Sequence, residues 1–202
     1  MGEDLVMLEE QAERFMASEL APQIDKWHEA GIMDRSAWTK LGEAGLLCAG
    51  IPEEYGGAGG NLAHETVINL AFAHSGLDSI GAPLHSGIVA PYILRYGTQE
   101  QKKRWLPKLA TGELVGAIAM SEPGAGSDLR GIKTSAKKSG NGYVLNGSKT
   151  FITNGQAADL IIVVAKTDPA AGAKGISLMV VEAADAPGFR RNARALRRRR
   201  AG

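Results

Sequence analysis

The chain has 202 residues, 44% of them hydrophobic and 22% charged, which excludes disordered and fibrous classes and allows one or two domains with a substantial buried core. A single cysteine, Cys48, excludes an internal disulfide and any metal site built on cysteine pairs. The net charge of +1 hides an asymmetry: the last thirteen residues hold seven arginines and no acid, so residues 1–189 carry 16 basic against 22 acidic side chains.

The longest apolar run, 160–165, is far short of the roughly 20 residues of a membrane-spanning helix. No signal peptide is visible at the acidic start, and a cytoplasmic location is expected. The arginine tail admits two readings: a disordered or out-of-frame extension, or a basic arm for nucleic acid or an anionic membrane surface. The first is preferred, because one arginine run without interleaved aromatics is weak evidence of nucleic-acid recognition.

In chain order, the first half is helical. Leu5, Leu8, Ala12, Phe15 and Met16 recur every three or four residues and share one helical face. Glu3, Asp4, Glu9 and Glu10 suit the positive end of that helix, and Pro22 is expected to kink its continuation. A second helix is expected over 36–47, then a glycine-rich loop over 51–60, then helices over 61–74 and 79–96. Thr98 and Gln101 form a capping box for the next helix, and Gly112 stops it.

From residue 114 the pattern changes to short β-branched runs: 114–121, 132–138, 142–145, 150–153, 160–166 and 176–182. Asn146-Gly147 carries the composition of a hairpin turn, and Asn154-Gly155 of a second turn. Helices followed by strands predict an α+β chain: an all-α domain over 1–112, then a small antiparallel β-barrel or sandwich over 113–189, then the arginine-rich tail 190–202.

The densest chemical signal is Ala119-Met120-Ser121-Glu122-Pro123-Gly124-Ala125-Gly126-Ser127-Asp128. It lacks the Lys-Ser/Thr of a phosphate loop, and Leu129 occupies the third glycine of a dinucleotide fingerprint. By spacing alone it is a tight turn bearing hydroxyls.

That decapeptide resembles the signature of the acyl-CoA dehydrogenase family. Lys149-Thr150-Phe151-Ile152-Thr153-Asn154-Gly155 is similar to the family's second flavin-contacting strand, and Ile51-Pro52-Glu53-Glu54-Tyr55-Gly56-Gly57 to its early glycine-rich loop. The segment 97–109 resembles the helix leading into the β domain, and the likeness runs from residue 4 to about 190.

The resemblance implies an FAD enzyme that removes two hydrogens from Cα and Cβ of an acyl-CoA thioester. A carboxylate takes the α proton and the flavin takes the β hydride. It implies backbone contacts to the flavin from Ile118, Met120 and Ile152, hydroxyls from Ser121 and Thr153, and an aromatic face from Phe151, where many members carry tryptophan. Ser127 falls where the CoA moiety is contacted. The plainer readings stay open beside these: Phe151 and Ile152 would be buried in any strand of this pattern, and Ser121 and Thr153 can satisfy local backbone.

The resemblance further implies an electron-transfer flavoprotein as acceptor, a homo-oligomer, and a C-terminal four-helix bundle that supplies the catalytic base. That bundle is missing from the pattern here, so a truncated or frameshifted chain, inactive alone, is expected. No catalytic residue is assigned. An acyl-CoA oxidase or flavin monooxygenase of the same fold, and a non-catalytic interaction protein using the basic tail, are the alternatives. No membrane span, no nucleic-acid partner and no metal site are expected, since His28, His64, His74 and His85 offer no i, i+4 pair. His74 and His85 are expected to be structural, Glu53 and Glu54 solvated, and Cys48 a small buried hydrophobe.

Overall fold

A computed structural model describes residues 2–77 and 80–192. Its first half is helical. Helix α1 (Glu3–Phe15) begins with acids at the positive end of its dipole. It runs into a π turn, Met16–Leu20, whose Met16 and Leu20 side chains are fully buried. Pro22 then sits in a 3-10 turn, Ala21–Gln23, before α2 (Ile24–Ala30). Without an N–H the proline cannot extend an α ladder, and the helix changes to 3-10 pitch where a kink is expected.

Helix α3 (Arg35–Glu43) buries Ala37, Trp38 and Leu41 and ends earlier than expected. Asn61 caps α4 (Leu62–His74). Residues 82–96 form one helical rod: α5 (Ala82–Leu84), a π turn at His85–Val89, and α6 (Ala90–Tyr96). Thr98 and Gln101 close the expected capping box on α7 (Gln99–Ala110). Gly112, at φ +71°, turns the chain away; a Cβ there would lie 2.2 Å from the Trp38 carbonyl oxygen. No described helix is long and apolar enough to cross a membrane.

Five strands follow: β1 (Gly116–Ala119), β2 (Ser135–Ser139), β3 (Gly142–Asn146), β4 (Leu160–Lys166) and β5 (Ile176–Glu182). The expectation of a purely antiparallel sheet is corrected. β1 runs parallel to β4, and β2 meets β4 in parallel at Ser135 and Lys166, while β2–β3 and β4–β5 are antiparallel. The chain between β1 and β4 is long enough for the crossover that parallel pairing needs.

Two further expectations fail locally. The β2–β3 turn is Gly140-Asn141, with Gly140 at φ +55°, and Asn146 is still paired with Ser135. Gly147 is small for another reason: a Cβ there would sit 2.3 Å from the Thr134 hydroxyl oxygen. The run 150–153 is not a strand.

Alternate residues of β4 serve both faces of the sheet. Leu160 and Ile162 pack with Val89 of the π turn, Ile93 of α6, and Trp105, Leu106 and Leu109 of α7. Ile161 and Val163 pack with Ala117, Ala119 and Ala158, against which Ile152 lies partly buried. Coverage of both faces explains an uninterrupted apolar run instead of alternation. Polar bonds fasten helices to sheet. Arg35 donates to the Glu113 carbonyl (2.7 Å) and pairs with Asp159. The Trp105 indole and Arg104 both donate to the Glu182 carboxylate, at 2.9 and 2.8 Å.

Candidate functional site

The end of β1 and the segment 149–154 lie side by side. The Thr150 N–H donates to the Ser121 carbonyl (3.0 Å). At the other end the Asn154 amide donates to the carbonyls of Gly116 (3.0 Å) and Gly81 (2.8 Å). Between these pins the backbone leaves the β region, with Phe151 at φ +55° and Asn154 at +64°. Such angles cannot continue an extended strand, which is why the β-branched pattern of 150–153 misleads.

The burial expected of Phe151 in a strand is also corrected, because its side chain is 93% exposed. A large aromatic held in the left-handed region, with its ring in water, is unfavourable twice over. That combination marks a surface built to be covered. Ile152 is half-buried, Thr153 exposed, Ser121 half-buried, Met120 exposed and Ile118 buried. The bonds at Thr150 and Asn154 lay the segment of Phe151, Ile152 and Thr153 alongside the strand of Ile118, with Met120 and Ser121 just past its end; the Ile118 and Ile152 side chains pack on opposite faces of the sheet. Ser127 is set apart, exposed beyond the tight turn in which Glu122 and Ala125 exchange both backbone hydrogen bonds.

Next to this strand end is a cleft of about 420 Å³ lined by Leu84, Gly87, Ile88, Pro91, Tyr92, Ile118 and Met120. One wall comes from the 82–96 rod around its π turn, a helix distortion common at functional sites. Among the described residues, no charged side chain lines the cleft. On the far side of the 122–125 turn a smaller hollow, about 270 Å³, is lined by Glu122, Lys133, Thr134, Gly147 and Ser148 among others.

The sequence reading missed three residues that hold these pieces together. Lys149 donates to the Met120 carbonyl and to the Glu122 carboxylate, both at 2.9 Å. Glu122 also accepts the N–H groups of Lys133 (2.7 Å) and Thr134 (3.0 Å). Burial alone would push the Glu122 carboxyl up, but the N–H groups of Lys133 and Thr134 and the Lys149 ammonium outweigh it and lower it to about 2; the buried Thr134 hydroxyl has no hydrogen-bond partner of its own. Asn154 is the third. The available signal was a charged residue at each end of an apolar run, a position where burial demands a partner.

His85 is structural, as expected. Its Nδ1 accepts the Gly116 N–H (2.9 Å) and its Nε2 donates to the Leu109 carbonyl (3.0 Å), so the ring is the neutral Nε2–H tautomer. Glu65 is a buried carboxyl whose pKa is pushed up by burial, opposed by the N–H groups of Gly50 and Ala49. Cys48 is buried and its thiol is pushed up by burial. Glu53 and Glu54 are exposed. Away from the cleft, Glu9, Glu13 and His74 bring ligand atoms within 4.8 Å of one another on the surface of α1 and α4, a grouping the histidine spacing did not suggest.

The start of the arginine-rich tail is docked. Arg191 donates to the carbonyls of Ala158 (2.6 Å) and Gly155 (3.1 Å), and Gln156 donates to the Asn192 carbonyl (3.0 Å). Residues 193–202 lie outside the described residues.

Comparison with known proteins bears on the whole chain. Residues 2–113 match the family model "Acyl-CoA dehydrogenase, N-terminal domain" and residues 117–199 match "Acyl-CoA dehydrogenase, middle domain". The long-chain specific acyl-CoA dehydrogenase of Rattus norvegicus mitochondria is 48% identical over 175 residues, 86% of this chain and 41% of that protein. The isovaleryl-CoA dehydrogenase of Pongo abelii mitochondria is 41% identical over 195 residues, 94% of this chain and 46% of that protein. Among solved structures, an acyl-CoA dehydrogenase from Geobacillus kaustophilus superposes with a TM-score of 0.87 at 50% identity, over 90% of this chain and 48% of that one. A glutaryl-CoA dehydrogenase from Mycobacterium smegmatis, in complex with FADH2, gives 0.82 at 31% identity, over 95% and 48%. The chain thus spans about half the length of the relatives it matches.

Proposed function

The chain belongs to the acyl-CoA dehydrogenase family of FAD-dependent oxidoreductases, and from that premise we propose that it forms the flavin- and acyl-facing part of an enzyme that oxidises an acyl-CoA thioester between Cα and Cβ. The observation that carries this reading is the exposed, backbone-strained Phe151 set beside the end of β1. A planar ring system covering Phe151 would remove about 1.5–3 kcal/mol of unfavourable aromatic exposure, and the flavin ring has that shape.

On this reading the backbone groups of Ile118, Met120 and Ile152 and the hydroxyls of Ser121 and Thr153 hold the flavin edge. Phe151 offers a face without the N–H that tryptophan would add. Bound flavin supplies the hydride acceptor for Cβ. Ser127 contacts the CoA portion. The apolar cleft of Leu84, Ile88, Pro91 and Tyr92 takes the acyl chain and excludes water from it. Its lack of charge favours an aliphatic chain over a dicarboxylic one. Among the described residues no carboxylate lines the cleft, no residue is assigned as the base for the α proton, and an electron-transfer flavoprotein is the acceptor.

The test is flavin titration of the purified chain, followed by fluorescence and visible absorbance. Saturable FAD binding, weakened by Phe151→Gly and by Ser121→Ala, with no turnover of acyl-CoA, is expected. FAD fluorescence that stays unchanged on adding the folded chain would refute the reading.

A further inference from the structure

The Glu122–Lys149 ion pair differs from every other ion pair among the described residues. Its side chains are 7% and 10% exposed, whereas each of the others keeps at least one side chain more than a third exposed. A buried pair is a poor way to gain stability, because desolvating two ions offsets most of their attraction and a well-packed apolar pair does as well. What such a pair does supply is a fixed geometry and a fixed charge.

The position of this pair indicates what it fixes. The Lys149 ammonium bridges the Met120 carbonyl and the Glu122 carboxylate, both at 2.9 Å. The next residue, Thr150, donates its N–H to Ser121 (3.0 Å). The lysine is thus a brace between the strand end 118–121 and the segment 149–154. Glu122 anchors that brace to β2 through the N–H groups of Lys133 and Thr134, at 2.7 and 3.0 Å.

We infer that Glu122 and Lys149 act as a positioning pair for the flavin, fixing the spacing of the two segments that hold it and cancelling each other's charge beside it. This rests on the proposed flavin site. The Lys149 ammonium and the N–H groups of Lys133 and Thr134 hold the carboxyl well below the usual carboxylate range. Reduced flavin carries more negative charge than oxidised flavin. A lone ammonium left at Met120 therefore favours the reduced form, and a lone carboxylate disfavours it.

The experiment uses the full chain loaded with FAD, in the parent form and as Glu122→Gln, Lys149→Met and Lys149→Arg. Flavin dissociation constants are measured by fluorescence and two-electron reduction potentials by dye equilibration. Affinity is expected to fall about tenfold or more in Glu122→Gln and Lys149→Met, a loss of about 1.4 kcal/mol. Lys149→Arg restores most of it. The potential is expected to rise in Glu122→Gln and to fall in Lys149→Met. Potentials that stay at the parent value, or move in the same direction in both variants, overturn the inference, because a purely structural pair would lower stability without that opposition of sign.

A second readout needs no flavin. In Lys149→Met the Thr150 amide is expected to lose its hydrogen-exchange protection, and retained protection overturns the brace. Should Lys149→Met fail to fold, the sign is read from Glu122→Gln against Lys149→Arg, where only the former raises the potential. A parent chain that binds no FAD removes the site and the inference together; a parent that binds, with variants that shift nothing, removes the inference alone.

Discussion

Lowering the pH from 7.5 to 5.0 is expected to weaken folding by about 2 kcal/mol through His85. The ring is fully buried, with Nδ1 accepting the Gly116 N–H and Nε2 donating to Leu109. A second ring proton would have to sit on Nδ1, facing another donor. Burial lowers the imidazole from 6.5 to about 4; the Leu109 hydrogen bond opposes this and the Arg35 charge adds to it. The unfolded ring therefore takes up its proton near pH 6.5, while the folded ring waits until about 4. The stabilising contribution is complete above pH 6.5 and is lost as the pH falls toward 4. At about 1.36 kcal/mol per pKa unit, the part lost between pH 7.5 and 5.0 is about 2 kcal/mol.

Urea unfolding of the parent and of His85→Leu at the two pH values isolates this contribution. The leucine variant leaves the Gly116 N–H unpaired, at about 1–3 kcal/mol, while the Leu109 carbonyl keeps the Gly112 N–H (3.1 Å), so it is weaker at pH 7.5. Its further loss on going to pH 5.0 should be smaller than the parent's by about 2 kcal/mol. Equal losses in the two proteins would refute the assignment. So would imidazole nitrogen NMR of the folded parent showing a ring that charges near pH 6.5.

Phe151→Gly should relieve the positive φ and raise the stability of the flavin-free chain by about 1 kcal/mol, while weakening FAD binding; a calorimetric scan and a titration of the same sample read both. Asp159→Ala should cost about 2 kcal/mol, chiefly because the Val115 N–H (2.8 Å) loses its acceptor. The ion pair of Asp159 with Arg35, whose side chains are 35% and 46% exposed, should couple by no more than about 1 kcal/mol in a double-mutant cycle. Gly42→Ala should destabilise by about 1–3 kcal/mol, since its Cβ would lie 2.4 Å from the Thr111 carbonyl. Gly87→Ala, in helix with open space around it, should be neutral or stabilising by up to about 1 kcal/mol in the same denaturant series.

Features closed within a few residues were legible in the chain itself. Thr98 and Gln101 satisfy each other's backbone donors whatever lies around them, Pro22 breaks a helical ladder by its own lack of an N–H, and Asn154-Gly155 turns where its composition says. The six apolar residues 160–165 announced a strand, and the fold added that both its faces are covered. The family motifs, being ordered along the chain, were readable in the same way.

What depended on distant surfaces meeting was decided by the tertiary structure. Local preference cannot choose between Gly140-Asn141 and Asn146-Gly147 as the hairpin turn; the pairing of Ser135 with Asn146 chose. It cannot tell that β1 would lie parallel to β4. It reads 150–153 as a strand, whereas bonds from Lys149 and Asn154 to β1 bend the run and leave Phe151 in solvent. Glu122 meets Lys149 across 27 positions and His85 meets Gly116 across 31. A charge or an imidazole can be buried only where another part of the fold supplies its partner, and no short stretch of sequence contains both halves of such a pair.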